Sequence, residues 1–151
     1  MNKKDTVVFD LDGTLLDTLE DLKNSVNYAM TQCGYPEHTL DEVRRYVGNG
    51  ILLLMQRAIP GGKDDPNFDK AFTLFKEHYG KHCNDTTKPY AGIMELLHTL
   101  KENNIKIAIV SNKADFAVKE LNAIYFKDLI PVAIGEKESE GIRKKPAPDT
   151  V

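Results

Sequence analysis

The chain has 151 residues, which is the size of one ordinary domain or two small ones. Its 41% hydrophobic and 28% charged residues exclude a disordered or collagen-like chain, and a formal charge of −3 provides no overall basic field for nucleic acid or an anionic membrane. The two cysteines have no C-x-x-C spacing, which indicates reduced thiols in a cytoplasmic protein. No apolar run is long enough for a signal peptide or a membrane span.

The first predicted element is a strand over Thr6–Phe9, where β-branched and aromatic residues precede the polar run 10–14. Both faces of this strand are apolar. We therefore expect it to lie buried in a parallel sheet that helices cover on both sides. The polar run is expected to form a sharp turn.

Residues 18–87 are predicted to be all helical, because apolar residues recur there at steps of three and four. Thr18 with Asp21 suggests a capping box for a first helix within 17–33, and Thr39 with Glu42 suggests another for a second helix. A third helix is expected over 51–59. A fourth carries aromatic residues on one side: Phe68, Phe72, Phe75 and Tyr79.

After residue 90 the pattern changes to helix, strand, helix, strand, with strands over 105–110 and 131–134. This alternation is typical of parallel βαβ units. The sequence therefore predicts an α/β protein with a Rossmann-like core, 1–17 and 88–151, and an inserted helical block, 18–87.

Two carboxylates, Asp10 and Asp12, stand at the end of the first strand. If the backbone stays extended, both side chains project to the same side, where open parallel sheets bind ligands. One carboxylate could attack an electrophile while the other transfers protons, and Gly13 would let a ligand approach the backbone closely. The alternative is that the run merely ends a strand with a turn.

Two further segments carry candidate chemistry. Ser111 ends the predicted strand 105–110 before a helix, where its hydroxyl and free backbone N–H groups could bind an anion or where it could simply cap the helix. The run 143–149 places Lys145 before two prolines that fix its direction, although a solvated basic stretch is the simpler interpretation.

The order of these segments resembles the haloacid dehalogenase-type phosphohydrolase superfamily. The resemblance implies that Asp10 is the nucleophile that accepts the phosphoryl group and that Asp12 is the general acid and base. It implies that Ser111 holds the phosphoryl oxygens and that Lys145 offsets the negative charge around Asp10. It also implies Mg²⁺ as cofactor, bound by the Asp10 carboxylate and the Asp12 backbone carbonyl.

Segments 15–18, 48–51 and 111–113 are similar to phosphoglycolate phosphatases, which implies a small phosphomonoester as substrate. Residues 18–87 would then be a helical cap, and the loop 48–50 would close over the substrate. The expected substrate-binding residues are Gly13, Thr14, Asn112, Gly48, Asn49, Gly50 and Arg45. Arg57 is a second candidate for the cation that meets a carboxylate. Alternatively, the glycines only join two helices.

The family's fourth, acidic motif is missing after Lys145. We therefore expect a C-terminally truncated core whose first strand exposes an apolar edge, with possible self-association through that edge. We also expect little or no activity of this chain alone. The alternative from another functional class is a non-catalytic product or interaction module that accepts a partner strand.

His78 and His82 lie one helical turn apart and could bind a transition metal. No Glu follows His78, as the zinc-protease motif would require. A solvated helix face is the favoured interpretation of the pair.

Overall fold

The computed structural model describes residues 5–151, so the first four residues of the predicted core segment 1–17 lie outside the described residues. Every predicted helix and strand is present within a few residues of its expected bounds. The elements are β1 (Thr6–Phe9), β2 (Leu16–Asp17), α1 (Leu19–Gln32), α2 (Leu40–Tyr46), α3 (Ile51–Ala58), α4 (Phe68–His82), β3 (Lys88–Pro89), α5 (Ile93–Glu102), β4 (Lys106–Ala114), α6 (Asp115–Tyr125) and β5 (Val132–Glu136). Across residues 5–151, each helix is too short or too polar to cross a bilayer.

The main sheet has three parallel strands in the order β1-β4-β5, and β2 pairs with β3 in a separate two-stranded sheet. Val8 of β1 is in register with Ala108 of β4, which in turn is in register with Val132 of β5. The α/β class and the parallel βαβ arrangement are therefore as predicted. Because β1 and β4 run in the same direction, their carboxyl ends meet at one edge of the sheet, which is where ligands bind in such sheets.

The burial predicted for β1 is wrong. Its residues alternate between exposed and half-buried, and 46% of Val8 is exposed. An apolar run predicts a strand but not the position of that strand in the sheet, and among the described residues β1 has a neighbour on one side only. The expected open apolar edge is thus present, while self-association through it stays a prediction.

The predicted end of the second long strand is also wrong. β4 does not stop at Ser111 but continues to Ala114, with a register shift against β5 between Val110 and Ala114. α6 begins only at Asp115. Ser111 is therefore a strand residue, and the predicted anion site at a helix N-terminus capped by Ser111 is not formed.

One of the two predicted capping boxes is confirmed. Thr39 Oγ1 accepts from Glu42 N at 3.2 Å, and Glu42 Oε1 accepts from Thr39 N at 3.2 Å. The capping box expected at Thr18 is wrong, because its side chain makes no capping hydrogen bond. Asp21 instead accepts hydrogen bonds from the distant Thr86 and Thr87.

The chain divides into two compact units, Met1–Asp17 with Pro89–Val151, and Thr18–Lys88. Each unit has its own apolar core. The largest fully buried side chains of the first unit include Leu11, Leu97, Ile109, Leu121 and Phe126. Those of the second include Met30, Leu54, Met55 and Phe75. The role of the second unit as a cap stays a prediction.

Candidate active site

Asp10 and Asp12 follow β1 directly. Leu11 between them is fully buried, whereas the side chains of Asp10 and Asp12 are 45% and 26% exposed. The apolar residue therefore anchors the turn in the core and leaves both carboxylates accessible. Gly13 has a φ of +77°, a left-handed conformation that favours glycine, and its N–H donates to Leu16 O at 2.9 Å.

Thr14 completes this turn. Its backbone N–H donates to Leu11 O at 3.2 Å, and its side chain is exposed. The amides of Gly13 and Thr14 are thus used within the turn itself. These two amides therefore give no support to the predicted contact of Gly13 and Thr14 with substrate, which stays a prediction.

Lys145 contacts the first carboxylate. Its Nζ lies 3.0 Å from Asp10 Oδ1 and 2.8 Å from the backbone oxygen of Val110, the last apolar residue before Ser111. The hydrogen bond to Val110 O fixes the ammonium to β4, and the second hydrogen bond joins it to the Asp10 carboxylate. The segment 143–149 that carries Lys145 is therefore folded against the strand ends and is not a solvated basic stretch.

Asn112 holds Lys145 through the backbone. Lys145 N donates to Asn112 Oδ1 at 2.8 Å, and Asn112 Nδ2 donates to Lys145 O at 3.2 Å. The substrate contact predicted for Asn112 stays untested. The contacts in the structure make it a residue that positions Lys145.

An ion pair closes the same segment. Arg143 donates from Nε to Asp149 Oδ2 at 2.9 Å and from Nη2 to Asp149 Oδ1 at 2.7 Å. The hydrogen bonds and charge of the Arg143 guanidinium lower the pKa of the Asp149 carboxyl to about 2. This bidentate pair fixes the two ends of the loop that carries Lys145.

Lys113 contacts the second carboxylate, and the sequence analysis assigned it no role. Its Nζ lies 3.1 Å from Asp12 Oδ1, and only 7% of the residue is exposed. Ser111, which is 3% exposed, accepts a hydrogen bond from Lys113 N at 3.1 Å. The signal that could have identified Lys113 is its spacing, because residues two apart in a strand share a face.

The residues predicted to recognise substrate from the helical unit lie between and on α2 and α3. Gly48 and Gly50 have φ values of +112° and +90°, so both positions favour glycine. Asn49 Oδ1 accepts from Arg57 Nη2 at 3.1 Å, and Arg57 Nη1 donates to Tyr46 O at 2.7 Å. Arg57 therefore stabilises this loop, while Arg45 is exposed on α2. Their binding roles stay predictions.

The donor chemistry of the two carboxylates fits Mg²⁺. This ion takes oxygen ligands and is commonly held by one or two carboxylates together with phosphate oxygens and water. Asp10 supplies a partly exposed carboxylate, and Asp12, in the same turn, supplies a backbone carbonyl as well as its own carboxylate. Within the described range, no group of three or more His, Cys, Asp or Glu is arranged to hold a metal.

Comparison with known proteins shows which family the chain belongs to. Residues 7–151 match the model of the haloacid dehalogenase-like hydrolases. The phosphoglycolate phosphatase of Nitrosospira multiformis is 33% identical over 147 residues, which are 94% of this chain and 64% of that protein. That of Aquifex aeolicus is 32% identical over 149 residues, covering 96% and 66%.

A solved structure agrees with this result. A protein from Lactobacillus delbrueckii subsp. bulgaricus, provisionally assigned as a phosphoglycolate phosphatase, superposes with a TM-score of 0.86 at 32% identity, covering 98% of this chain and 70% of that one. The chain spans less than two thirds of the length of the two curated relatives above. The chain belongs to the haloacid dehalogenase-like hydrolase family and resembles its phosphoglycolate phosphatases.

Proposed function

We propose that this chain carries the catalytic residues of a phosphatase that hydrolyses a small phosphomonoester through an aspartyl phosphate. The single observation that carries the proposal is the pairing at the edge of the sheet, where Lys145 contacts Asp10 and Lys113 contacts Asp12. Two carboxylates with separate ammonium partners suit a reaction that needs a nucleophile and a proton carrier while tolerating an anionic substrate.

In the first half of the reaction, a carboxylate oxygen of Asp10 attacks phosphorus and the ester P–O bond breaks. Asp12, protonated on Oδ2 while its Oδ1 accepts a hydrogen bond from Lys113, gives its proton to the leaving alkoxide. Lys113 then stabilises the carboxylate that Asp12 has become, because the ammonium is already 3.1 Å away and buried. The products of this step are the alcohol and a phosphorylated Asp10.

In the second half, Asp12 takes a proton from water, and the water oxygen attacks phosphorus. The bond to Asp10 breaks and inorganic phosphate leaves. Lys145 and the hydroxyl of Ser111 would stabilise the phosphoryl oxygens during both halves. Mg²⁺, held by the Asp10 carboxylate and the Asp12 backbone carbonyl, would neutralise part of the negative charge of the phosphate when bound.

For the substrate, we propose a small phosphorylated acid such as phosphoglycolate, which is the substrate named for the relatives. Residues 18–87 would act as the cap. Arg45, exposed on α2, would meet the substrate carboxylate, and the loop 48–50 with its two left-handed glycines would form the closing segment.

Phosphate release from 2-phosphoglycolate in the presence of Mg²⁺ tests the proposal. We expect any release to be lost in Asp10→Asn and retained in Asp5→Asn, a matched control at the exposed residue just before β1. We expect Arg45→Met to raise KM for 2-phosphoglycolate but not for ethyl phosphate, which has no carboxylate. Phosphate release by Asp10→Asn equal to that of the unmodified chain would overturn the proposal.

A further inference from the structure

A cluster of imidazole rings lies on α4, in the unit Thr18–Lys88, and takes no part in the proposed phosphatase chemistry. The rings of His78 and His82 stack with their centroids 4.3 Å apart and an interplanar angle of 29°. The ring of Tyr28, from α1, stacks against His78 with the centroids 4.5 Å apart. The sequence favoured a solvated helix face for this pair. His78 is instead packed between the rings of Tyr28 and His82.

Hydrogen bonds orient both imidazoles through the same ring atom. His82 Nδ1 lies 2.7 Å from Asp85 Oδ2, and His78 Nδ1 lies 2.8 Å from the hydroxyl oxygen of Ser25, which is fully buried. A carboxylate can only accept, so the neutral ring of His82 carries its proton on Nδ1 and its lone pair on Nε2. The Ser25 hydroxyl can donate or accept; in the tautomer in which it accepts from Nδ1–H of His78, the lone pair of that ring is on Nε2.

We propose that His78 and His82 bind a transition-metal ion of the zinc class through their Nε2 atoms, at a site separate from the carboxylates at the sheet edge. Histidines that bind metals usually donate their other ring N–H to a carboxylate, a carbonyl or another fixed acceptor, and here Asp85 and Ser25 stand in those positions. Imidazole nitrogen suits Zn²⁺, whereas Mg²⁺ prefers oxygen. Mg²⁺ is therefore not expected to compete for the two histidines.

The site has two protein ligands, and water would complete the coordination of the ion. Within residues 5–151 no third His, Cys, Asp or Glu joins the pair. Binding requires the stacked rings to rotate so that the two Nε2 lone pairs converge on one ion. An ion held by one turn of α4, with Ser25 of α1 behind it, stabilises the folded helical unit by mass action.

Calorimetric titration of the purified, untagged chain with zinc chloride tests the site. The Asp10→Asn/Asp12→Asn double variant serves as background, because it removes the competing carboxylates. We expect one ion per chain, and we expect His78→Ala and His82→Ala each to weaken binding at least about tenfold. Asp85→Asn, which removes only the positioning carboxylate, should weaken binding less. His98→Ala is the matched control, because His98 is an exposed histidine on α5.

A measurement on the unsubstituted chain keeps the test valid if a variant fails to fold. In nitrogen-15 spectra of the histidine rings, zinc should shift the Nε2 signals of His78 and His82 and leave those of His38 and His98 in place. A tenfold excess of Mg²⁺ should not reverse the shift. Absence of zinc binding, or binding that both alanine variants retain unchanged, would overturn the proposal without affecting the proposed phosphatase activity.

Discussion

The ammonium nitrogen of Lys113 lies 3.1 Å from Oδ1 of Asp12, and the lysine side chain is only 5% exposed. A buried ammonium requires a partner, and Asp12 supplies it. The carboxylate, 26% exposed, can still reach a ligand at the surface. Lys145 forms the equivalent contact with Asp10 at 3.0 Å. Each carboxylate of the turn thus has its own lysine, and both lysines are fixed to the end of β4.

Replacing Lys113 by Met should lower kcat by about 10- to 100-fold, because the ion-pair partner of Asp12 is lost while the side-chain volume is kept. We expect the free energy of unfolding to fall by about 1–2 kcal/mol, less than for a fully buried ion pair, because water can reach Asp12. Lys106→Met, at the exposed start of the same strand, is the control. Steady-state kinetics and urea unfolding measure both effects. A kcat within twofold of the unsubstituted chain would contradict the role given to Lys113.

Local signals in the sequence predicted the helices and strands well. They predicted burial and hydrogen bonds between distant residues poorly. The strand Thr6–Phe9 and the capping box of Thr39 follow from neighbouring residues, and both are present. The exposure of Val8 depends on which strands flank β1, and a single segment does not contain that information. Asp21 was assigned to a local capping box, but its partners are 65 and 66 residues away.

The site shows the same division. Asp10, Asp12 and Lys145 were predicted from motifs as site residues, and in the structure Lys145 contacts Asp10. Lys113 was not identified, because polar residues after an apolar run suggested that the strand had ended. The register shift between Val110 and Ala114 lets polar residues continue the strand, and this irregularity has no clear local signal.

Asp21 should be among the most important polar residues for the stability of the helical unit. Its carboxylate is 1% exposed and accepts from the backbone N–H and the hydroxyl of both Thr86 and Thr87. Asp21→Ala leaves these donors unsatisfied, so we expect a loss of about 3 kcal/mol in the free energy of unfolding. Glu20→Ala removes only a surface pair with Lys23 and should cost less than about 0.5 kcal/mol. Urea unfolding that shows equal effects would contradict this account.

Gly135 permits the close packing of β5 against the start of α6. A Cβ atom at this position would lie 2.5 Å from Asp115 Cα and 2.5 Å from Lys113 O, both backbone atoms. Gly135→Ala should therefore destabilise the fold by about 2 kcal/mol or more. Gly80→Ala in α4 meets no atom within 4 Å and should stabilise it by about 0.5–1 kcal/mol. Thermal unfolding should move in opposite directions for the two variants; a shift in the same direction would be inconsistent with this packing.

The Arg143–Asp149 ion pair should lose its contribution to folding stability at acid pH. The pKa of the Asp149 carboxyl is lowered from 3.8 to about 2 in the folded chain, so the pair contributes stability above pH 3.8 and loses that contribution as the pH falls through about 2. Carbon-13 titration of the carboxyl should give a midpoint near 2, and Arg143→Met should return it towards 3.8. Lys144→Met, whose lysine pairs with Glu138, should leave the midpoint unchanged. A midpoint near 3.8 before substitution would show that the pair is absent in solution.

Trapping the acyl phosphate tests most directly whether Asp10 accepts the phosphoryl group. Borohydride reduces an aspartyl phosphate to homoserine, which mass spectrometry locates in a digest of the chain. We predict homoserine at position 10 after incubation with 2-phosphoglycolate and Mg²⁺, and unmodified aspartate there when the substrate is left out. Phosphate release that continues while aspartate at position 10 stays unreduced would contradict the mechanism.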